Sequence, residues 1–177
     1  MGFHDLSDVR ETLLALDKAP ELRDTADITI LLIGGVALYC YGISYRETSD
    51  IDAFLSAAGS VRQTLAGVAH RFGLFFDGGA VGWMPDDWDQ RARRLNWPLE
   101  HLVVWVIDEY GFIITKMGRW AGHDQEDVRQ VLPRISMEKL RAYVREQKPL
   151  YIGRSEHIDQ TWREVCEMAG RLDLNML

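Results

Sequence analysis

The chain has 177 residues, of which 47% are hydrophobic and 27% charged, and it carries a formal net charge of −7. Its length and composition are typical of one globular domain, alone or with a small appendage, and its acidic balance argues against nonspecific DNA binding, which needs many cationic phosphate contacts. No apolar run approaches the roughly 20 residues of a membrane span, and the acidic start MGFHDLSDVRET does not predict a secretory signal.

The first part of the chain predicts alternating helices and strands. In chain order these are a helix at 9–16, a buried strand at 28–33 (ITILLI), a helix at 36–42 and an alternating strand at 50–55 (DIDAFL). The helices are predicted by apolar residues at helical spacing, and the strands by β-branched or alternating apolar residues. Gly34 and Gly35 separate the first strand from the second helix.

The middle of the chain is less regular. Ser60 and Gln63 have the spacing of a capping box, which predicts a helix to about Phe72. The predicted elements that follow are strand and hairpin pieces at 73–85, a short helix in PDDWDQRARRL and a clear strand at 102–107 (LVVWVI). The arginines of QRARRL, which are Arg91, Arg93 and Arg94, then form either a solvated helix face or a surface that faces an anion or RNA.

The last third of the chain has helical periodicity throughout. It predicts helices in EYGFIITKMGRWA, QEDVRQVL, SMEKLRAYVREQ and SEHIDQTWREVCEMAGRL. We therefore predict an α/β core over residues 1–107 and a helical region over 108–177 that packs on it. The two cysteines, Cys40 and Cys166, form no CxxC pair, so zinc and redox motifs are not indicated and we expect a reduced, cytoplasmic protein.

Asp50 and Asp52 are the first candidate site residues. Side chains alternate along a strand, so both project from one side, roughly 6–7 Å apart. Two carboxylates there repel each other and lose hydration, and a divalent cation between them offsets both costs. Mg²⁺ prefers carboxylate oxygens together with water and substrate phosphates, which indicates a nucleotide site. The alternative is a strand that simply ends in a polar turn.

Gly34 and Gly35 strengthen the first interpretation. Without side chains their backbone can approach a ligand closely, and the helix that begins there turns its N–H groups and positive dipole end towards anions. The alternative is an ordinary tight turn. Together with the two aspartates, the glycines predict a phosphate cradle that faces a metal site.

This arrangement resembles the nucleotidyltransferase superfamily, which has the polymerase-beta-like fold. Its signature is a glycine pair, a spacer and then Asp-x-Asp or Asp-x-Glu on the next strand. The longer spacer here is similar to that of the abortive-infection toxin type and of a related uncharacterised bacterial group. The resemblance implies a small mixed sheet flanked by helices, Mg²⁺ or Mn²⁺ at Asp50 and Asp52, and a bound nucleoside triphosphate. The residues that match the motif around the acidic pair are Gly34, Gly35, Arg46, Thr48 and Ser49.

A second stretch, ITKMGRWAGHDQEDVRQVL, resembles the downstream helical motif of the narrower group. Lys116 matches its lysine and Asp124 and Asp127 match its two aspartates, while His123 stands where arginine is usual. The resemblance implies that Lys116 and Asp127 contribute to nucleotide binding. From the residues alone, Lys116 can instead extend from a buried helix to solvent, and Asp124 can simply cap a helix, with Asp127 completing a capping-box-like pair.

The resemblance also implies a third acidic residue, which completes the metal site or acts as the general base. The middle of the strand at 102–107 is entirely apolar, and only Glu100, His101 and Asp108 lie at its ends. We select Glu100 as the candidate, and Asp77 is the alternative if its segment pairs beside the strand of Asp52.

The first hypothesis for function is a nucleotidyltransferase that transfers a nucleoside monophosphate to a hydroxyl of RNA, protein or a small molecule. The resemblance implies a toxin–antitoxin or phage-defence role, with a tRNA or a partner protein as acceptor. The second hypothesis is a catalytically weak or inactive interaction protein on the same fold, which exposed tryptophans would support. The candidate tryptophans are Trp83, Trp88, Trp97, Trp120 and Trp162. A third hypothesis, an aminoglycoside-modifying enzyme, has only the acidic surface in its favour.

Overall fold

A computed structural model describes residues 2–23, 28–44, 46–56, 63, 65, 67–72, 74–75 and 82–177. The chain divides into two compact units. The first comprises Met1–Gly78 and Ala92–Ile107, and the second comprises Gly79–Arg91 and Asp108–Leu177. Residues 79–91, which we placed in the α/β core from the sequence, thus belong with the helical second unit.

Five strands form one sheet among the described residues. They are β1 (Ile28–Leu32), β2 (Ile51–Ser56), β3 (Leu74–Phe75), β4 (Arg93–Arg94) and β5 (Leu102–Val106). Their order is β3-β2-β1-β5-β4. β1 is parallel to β5 and antiparallel to β2, β2 is parallel to β3, and β4 is antiparallel to β5. The sheet is therefore mixed, and the predicted fold class of a small mixed sheet with helices is confirmed.

The first unit buries the centre of this sheet. Ile30, Leu31 and Leu32 of β1 are fully buried, which is typical of a central strand that is covered on both faces. Helix α1 (Leu6–Asp17) is capped by the side chain of Asp5, and helix α2 is Gly34–Cys40. Both helices agree with the sequence prediction to within a few residues, the usual uncertainty of helix ends.

Asp17, at the end of α1, holds the beginning of β5. Its carboxylate accepts hydrogen bonds from the backbone N–H groups of Glu100 (2.8 Å), His101 (2.9 Å) and Leu102 (2.9 Å). The side chain is 5% exposed. A buried carboxylate is tolerated there because three backbone donors replace its hydration.

The described helices of the second unit are α3 (Trp88–Arg91), α4 (Glu109–Arg119), α5 (Gly122–Val131), α6 (Met137–Gln147) and α7 (Ser155–Met168). Ser136 caps α6, because its hydroxyl accepts from Lys139 N–H. The predicted helix in PDDWDQRARRL is wrong at its end: the helix stops at Arg91, and Arg93 and Arg94 pair with β5 instead. The three arginines therefore do not share one helix face.

Two further predictions concern the surface. Trp83 and Trp162 are buried, whereas the other candidate tryptophans, Trp88, Trp97 and Trp120, are half-buried. Across the part of the chain that the structure describes, none of the helices is both long and apolar enough to cross a bilayer.

Candidate active site

The glycine pair lies where β1 passes into α2. Gly34 is the first residue of α2 and has φ of 62°, a left-handed conformation that glycine adopts without a steric penalty. Ile33 precedes the helix and provides no side-chain hydrogen bond to its first N–H groups. The residue that precedes the helix therefore does not cap it with its side chain.

Asp52 lies directly against Gly34. Because β2 runs antiparallel beside β1, Asp52 comes opposite the residue that follows β1, and Ile33 N–H donates to its carbonyl oxygen at 3.1 Å. A Cβ atom on Gly34 would lie 2.2 Å from Oδ2 of Asp52 and 2.9 Å from its Cβ. Real side chains do not approach this closely, so the carboxylate occupies space that exists only because residue 34 is glycine.

Gly35 faces the loop that precedes β2. A Cβ there would lie 3.0 Å from Oγ1 of Thr48 and 3.3 Å from Nη2 of Arg46. Thr48 is buried and forms a backbone bridge with Phe3, with hydrogen bonds of 2.8 and 3.0 Å. The glycine pair and the Arg46–Thr48 segment predicted from the sequence therefore meet in space.

Tyr39 fixes this loop, and the sequence analysis missed it. Its hydroxyl lies 2.6 Å from the carbonyl oxygen of Phe3 and 2.8 Å from that of Arg46. Burial raises the pKa of Tyr39, so the hydroxyl keeps the proton that it donates. A weak signal was available, because Tyr39 is four residues after Gly35 and so lies on the same face of α2.

Asp50 and Ser49 lie just before β2. The strand begins at Ile51 rather than at Asp50 as predicted, and Asp50 is partly exposed in the preceding bend. Within β2, Ile51 and Ala53 are buried and Asp52 is half-buried, which is the predicted alternation. Ser49 is exposed, and the hydroxyl of Thr48 donates to the carbonyl oxygen of Asp50 at 3.4 Å.

Glu100 lies at the other end of the sheet. It precedes Leu102, which pairs with Ile28 at the start of β1, whereas Asp52 lies beyond Leu32 at the end of β1. The five residues of β1 span roughly 13 Å between these two positions. The structure therefore does not bring Glu100 together with Asp50 and Asp52.

Among the described residues, no other candidate for the third acid completes the pair. Within the described ranges, no group of three or more His, Cys, Asp or Glu side chains is placed to hold a metal ion. Asp108, in the second unit, caps α4 through Gly111 N–H and binds Arg91 at 2.7 Å. Asp77 lies outside the described residues.

Lys116 forms a buried ionic cluster inside the second unit. Its ammonium donates to Oδ2 of Asp127 at 2.7 Å and to Oδ1 of Asp124 at 3.1 Å. Both carboxylates are 0% exposed and Lys116 is 5% exposed, so the lysine does not extend to solvent. The cation is thus balanced by the two aspartates of its own motif, and its role in nucleotide binding stays a prediction.

Asp124 is the centre of this cluster. It accepts two hydrogen bonds from Arg119 and one from Ala121 N–H, so it sits in the first turn of α5 and Ala121 is the N-cap. Burial alone would raise the pKa of Asp124, but the hydrogen bonds from Arg119 and the charge of Lys116 outweigh it and hold that pKa at about 2. His123 is exposed and contacts Arg119 at 3.0 Å.

Comparison with known protein families supports the resemblance found in the sequence. The family described as "Nucleotidyltransferase of unknown function (DUF6036)" matches residues 11–176, almost the whole chain. A search of curated proteins and a search of solved structures each gave no match. The matched range contains the glycine pair, Asp50 and Asp52 and the Lys116 cluster. The chain belongs to this family of nucleotidyltransferases of unknown function.

Proposed function

We propose that this protein is a nucleotidyltransferase that depends on Mg²⁺ or Mn²⁺ and transfers a nucleoside monophosphate from a triphosphate to a hydroxyl. The observation that carries the proposal is the contact between Gly34 and the carboxylate of Asp52 at the start of α2. This contact supports the proposal, because backbone N–H groups that can bind phosphate lie next to an oxygen that can bind a metal ion. Membership of a nucleotidyltransferase family supports the reaction class and a nucleotide substrate.

The donor set fits a hard divalent cation. Asp50 and Asp52 are both partly exposed, and their oxygens are the ligands that Mg²⁺ takes alongside water and phosphates. The missing side chain at Gly34 lets the carboxylate of Asp52 lie directly against the start of α2. When bound, the ion would neutralise charge on the phosphates of the triphosphate.

The chain's own residues then hold the triphosphate. The backbone N–H groups at Gly34 and Gly35 donate to phosphate oxygens, and the dipole of α2 favours the negative charge. Thr48 and Ser49 supply hydroxyl groups from the loop beside Gly35, and Tyr39 keeps that loop in place. The contributions of Lys116 and Asp127 to nucleotide binding stay predictions.

The transfer is an in-line displacement. The oxygen of the acceptor hydroxyl attacks the α-phosphorus, the bond from that phosphorus to the α–β bridging oxygen breaks, and pyrophosphate leaves. The hydroxyl proton passes to a carboxylate base or to water. Glu100 lies too far from Asp52 in the sheet to be that base directly, and Asp77 is the remaining candidate from the sequence.

The test is label transfer from each α-labelled triphosphate with Mg²⁺, using bulk RNA or cell lysate as acceptor. Asp52→Asn and Asp50→Asn should each reduce transfer at least about 100-fold, because they remove the charge that holds the cation. Glu11→Gln, which changes an exposed carboxylate on α1, is the matched control and should transfer normally. Transfer that survives in Asp52→Asn contradicts the proposal.

A second candidate function is a non-catalytic interaction protein on this fold. One observation favours it: the described residues place no third carboxylate beside Asp50 and Asp52. In that case no triphosphate is turned over, and Mg²⁺ with triphosphate does not raise the melting temperature. The toxin–antitoxin or phage-defence setting is part of our proposal for either function, and its partner would be a cognate toxin or antitoxin.

A further inference from the structure

A cavity of about 440 Å³ lies against the outer edge of the sheet in the first unit. It is formed by the loop after β4 and by the first half of β5, and its walls include Arg94, Trp97 and Glu100. Its volume falls within the range of natural ligand sites. The cavity lies two strands away from Asp52, since the order of the sheet is β3-β2-β1-β5-β4, so it is separate from the site described above.

The backbone at this edge of β5 is open. β4 pairs only with Trp105 and Val106, and the last hydrogen bond of this ladder runs from Leu95 N–H to the carbonyl oxygen of Val104 at 2.8 Å. The chain then turns away, and the carbonyl oxygen of Leu95 accepts instead from Trp97 N–H at 2.9 Å.

Two backbone groups of β5 have no backbone partner in the part of the chain that the structure describes. Ile28 N–H of β1 bonds to the carbonyl oxygen of His101, so the alternate residues Leu102 and Val104 direct their backbone groups away from β1. Of these groups, Leu102 N–H is already bonded to Asp17. Among the described residues, no backbone group pairs with Val104 N–H or with the Leu102 carbonyl. An unpaired donor and acceptor two residues apart are the template for an added strand.

The side chains at the two ends of this edge have opposite charges. Arg94 lies opposite Trp105, and Glu100 lies just before Leu102. About 10 Å of strand separates Leu102 from Trp105. Both charged side chains are exposed, and among the described residues neither charged group has an ion-pair partner.

We propose that this edge binds an extended peptide segment of a partner protein, which adds as a strand alongside β5. The peptide backbone pairs with Val104 N–H and the Leu102 carbonyl, an acidic side chain of the peptide meets Arg94, and a Lys or Arg meets Glu100. The half-buried ring of Trp97 packs on the side chain between them. A peptide fits better than RNA, because Glu100 repels phosphates and the open backbone groups have strand spacing. This site does not depend on the proposed function.

The test uses random seven-residue peptides displayed on phage and selected on the full-length protein, with the best binder synthesised and its Kd measured by fluorescence anisotropy. Arg94→Glu and Glu100→Lys should each raise the Kd at least tenfold. The double variant should recover affinity for a peptide whose charged ends are exchanged. Arg10→Glu, an exposed charge reversal on α1, is the matched control and should bind normally.

Backbone pairing is tested separately. Two versions of the peptide are N-methylated, one on the backbone amides of the odd-numbered residues and one on those of the even-numbered residues. One version should bind at least tenfold more weakly than the unmodified peptide, and the other should bind almost normally. Peptide binding should also slow hydrogen exchange of the Val104 amide at least tenfold. The proposal is overturned if no peptide is selected, if the charge variants bind within twofold of the native protein, or if N-methylation has no effect. It is equally overturned if single-stranded RNA binds at this cavity in place of the peptides.

Discussion

Replacing Gly34 with alanine separates the role of this residue at Asp52 from its role in the backbone. Gly34 and Gly42 both have positive φ, at 62° and 77°. A Cβ on Gly42 would meet nothing within 4 Å, whereas one on Gly34 would meet the carboxylate of Asp52. Alanine in a left-handed conformation costs about 1–2 kcal/mol at either position. Gly42→Ala is therefore a control that has the same backbone strain and no clash.

The size of the effect follows from the contact. The new Cβ would lie 2.2 Å from Oδ2 of Asp52, and ordinary contact needs about 3.5 Å. The carboxylate must therefore move by more than about 1 Å, and a displacement of that size costs about 100-fold in rate at a catalytic site. This corresponds to about 2.7 kcal/mol of transition-state stabilisation. We expect transfer by Gly34→Ala to be about 100-fold slower than transfer by Gly42→Ala.

The assay is label transfer at saturating triphosphate, with urea unfolding of both variants measured in parallel. The two free energies of unfolding should agree within about 1 kcal/mol. The backbone strain is the same at both positions, and the partly exposed carboxylate of Asp52 can move away from the new Cβ. If Gly34→Ala transfers label within threefold of Gly42→Ala, Asp52 does not hold the reacting phosphates and the reasoning is refuted.

Three further predictions concern buried carboxylates and their partners. Asp17→Ala leaves three backbone donors at the start of β5 unsatisfied and should lower the free energy of unfolding by about 3 kcal/mol or more; a change below 1 kcal/mol in urea would contradict this role. Lys116→Met removes the buried cation that contacts both Asp124 and Asp127, although Asp124 keeps Arg119, and should cost about 3–5 kcal/mol. If the Lys116→Met variant has a normal melting temperature but binds the triphosphate more weakly, Lys116 binds the nucleotide instead. The pKa of Asp124 is lowered to about 2, so its contribution of about 2 kcal/mol is present above the ordinary pKa near 4 and is lost as pH falls towards 2. Asp124→Asn should make the free energy of unfolding less dependent on pH in this range. If the variant loses stability in acid as steeply as the native protein does, Asp124 is not the cause of that loss.

The sequence was most informative where one local pattern determines the structure. Apolar β-branched residues predicted β1, strict alternation predicted β2, and the glycine pair marked the start of α2 to within two residues. Each of these features is determined by residues that are close to one another in the sequence. The meeting of Gly34 with Asp52 also followed from sequence order, because consecutive strands usually pair in the sheet.

The features that the sequence did not predict depend on distant partners. Arg93 and Arg94 have helical neighbours before them and become a strand only because β5 offers an edge, more than ten residues later in the chain. Asp17 reads as the polar end of a helix, and its role is created by backbone donors of residues 100–102. Helical periodicity likewise predicted that Lys116 is on a mostly buried helix, but not that two aspartates of the next helix would surround its charge.

The aspartates of this protein divide by how their charge is compensated. Asp17 is satisfied by backbone donors, and Asp124 and Asp127 by Lys116 and Arg119, so each of these buried charges is balanced within its own unit. Asp50 is different, because its carboxylate has no ion-pair or hydrogen-bond partner among the described residues, and it stands two positions from Asp52, whose carboxylate lies against Gly34. A partly exposed carboxylate that lacks such a partner, as at Asp50, can be compensated by a cation from solution. That property of Asp50, together with the Asp-x-Asp spacing, is the physical reason why we propose that the chemistry takes place at Asp50 and Asp52.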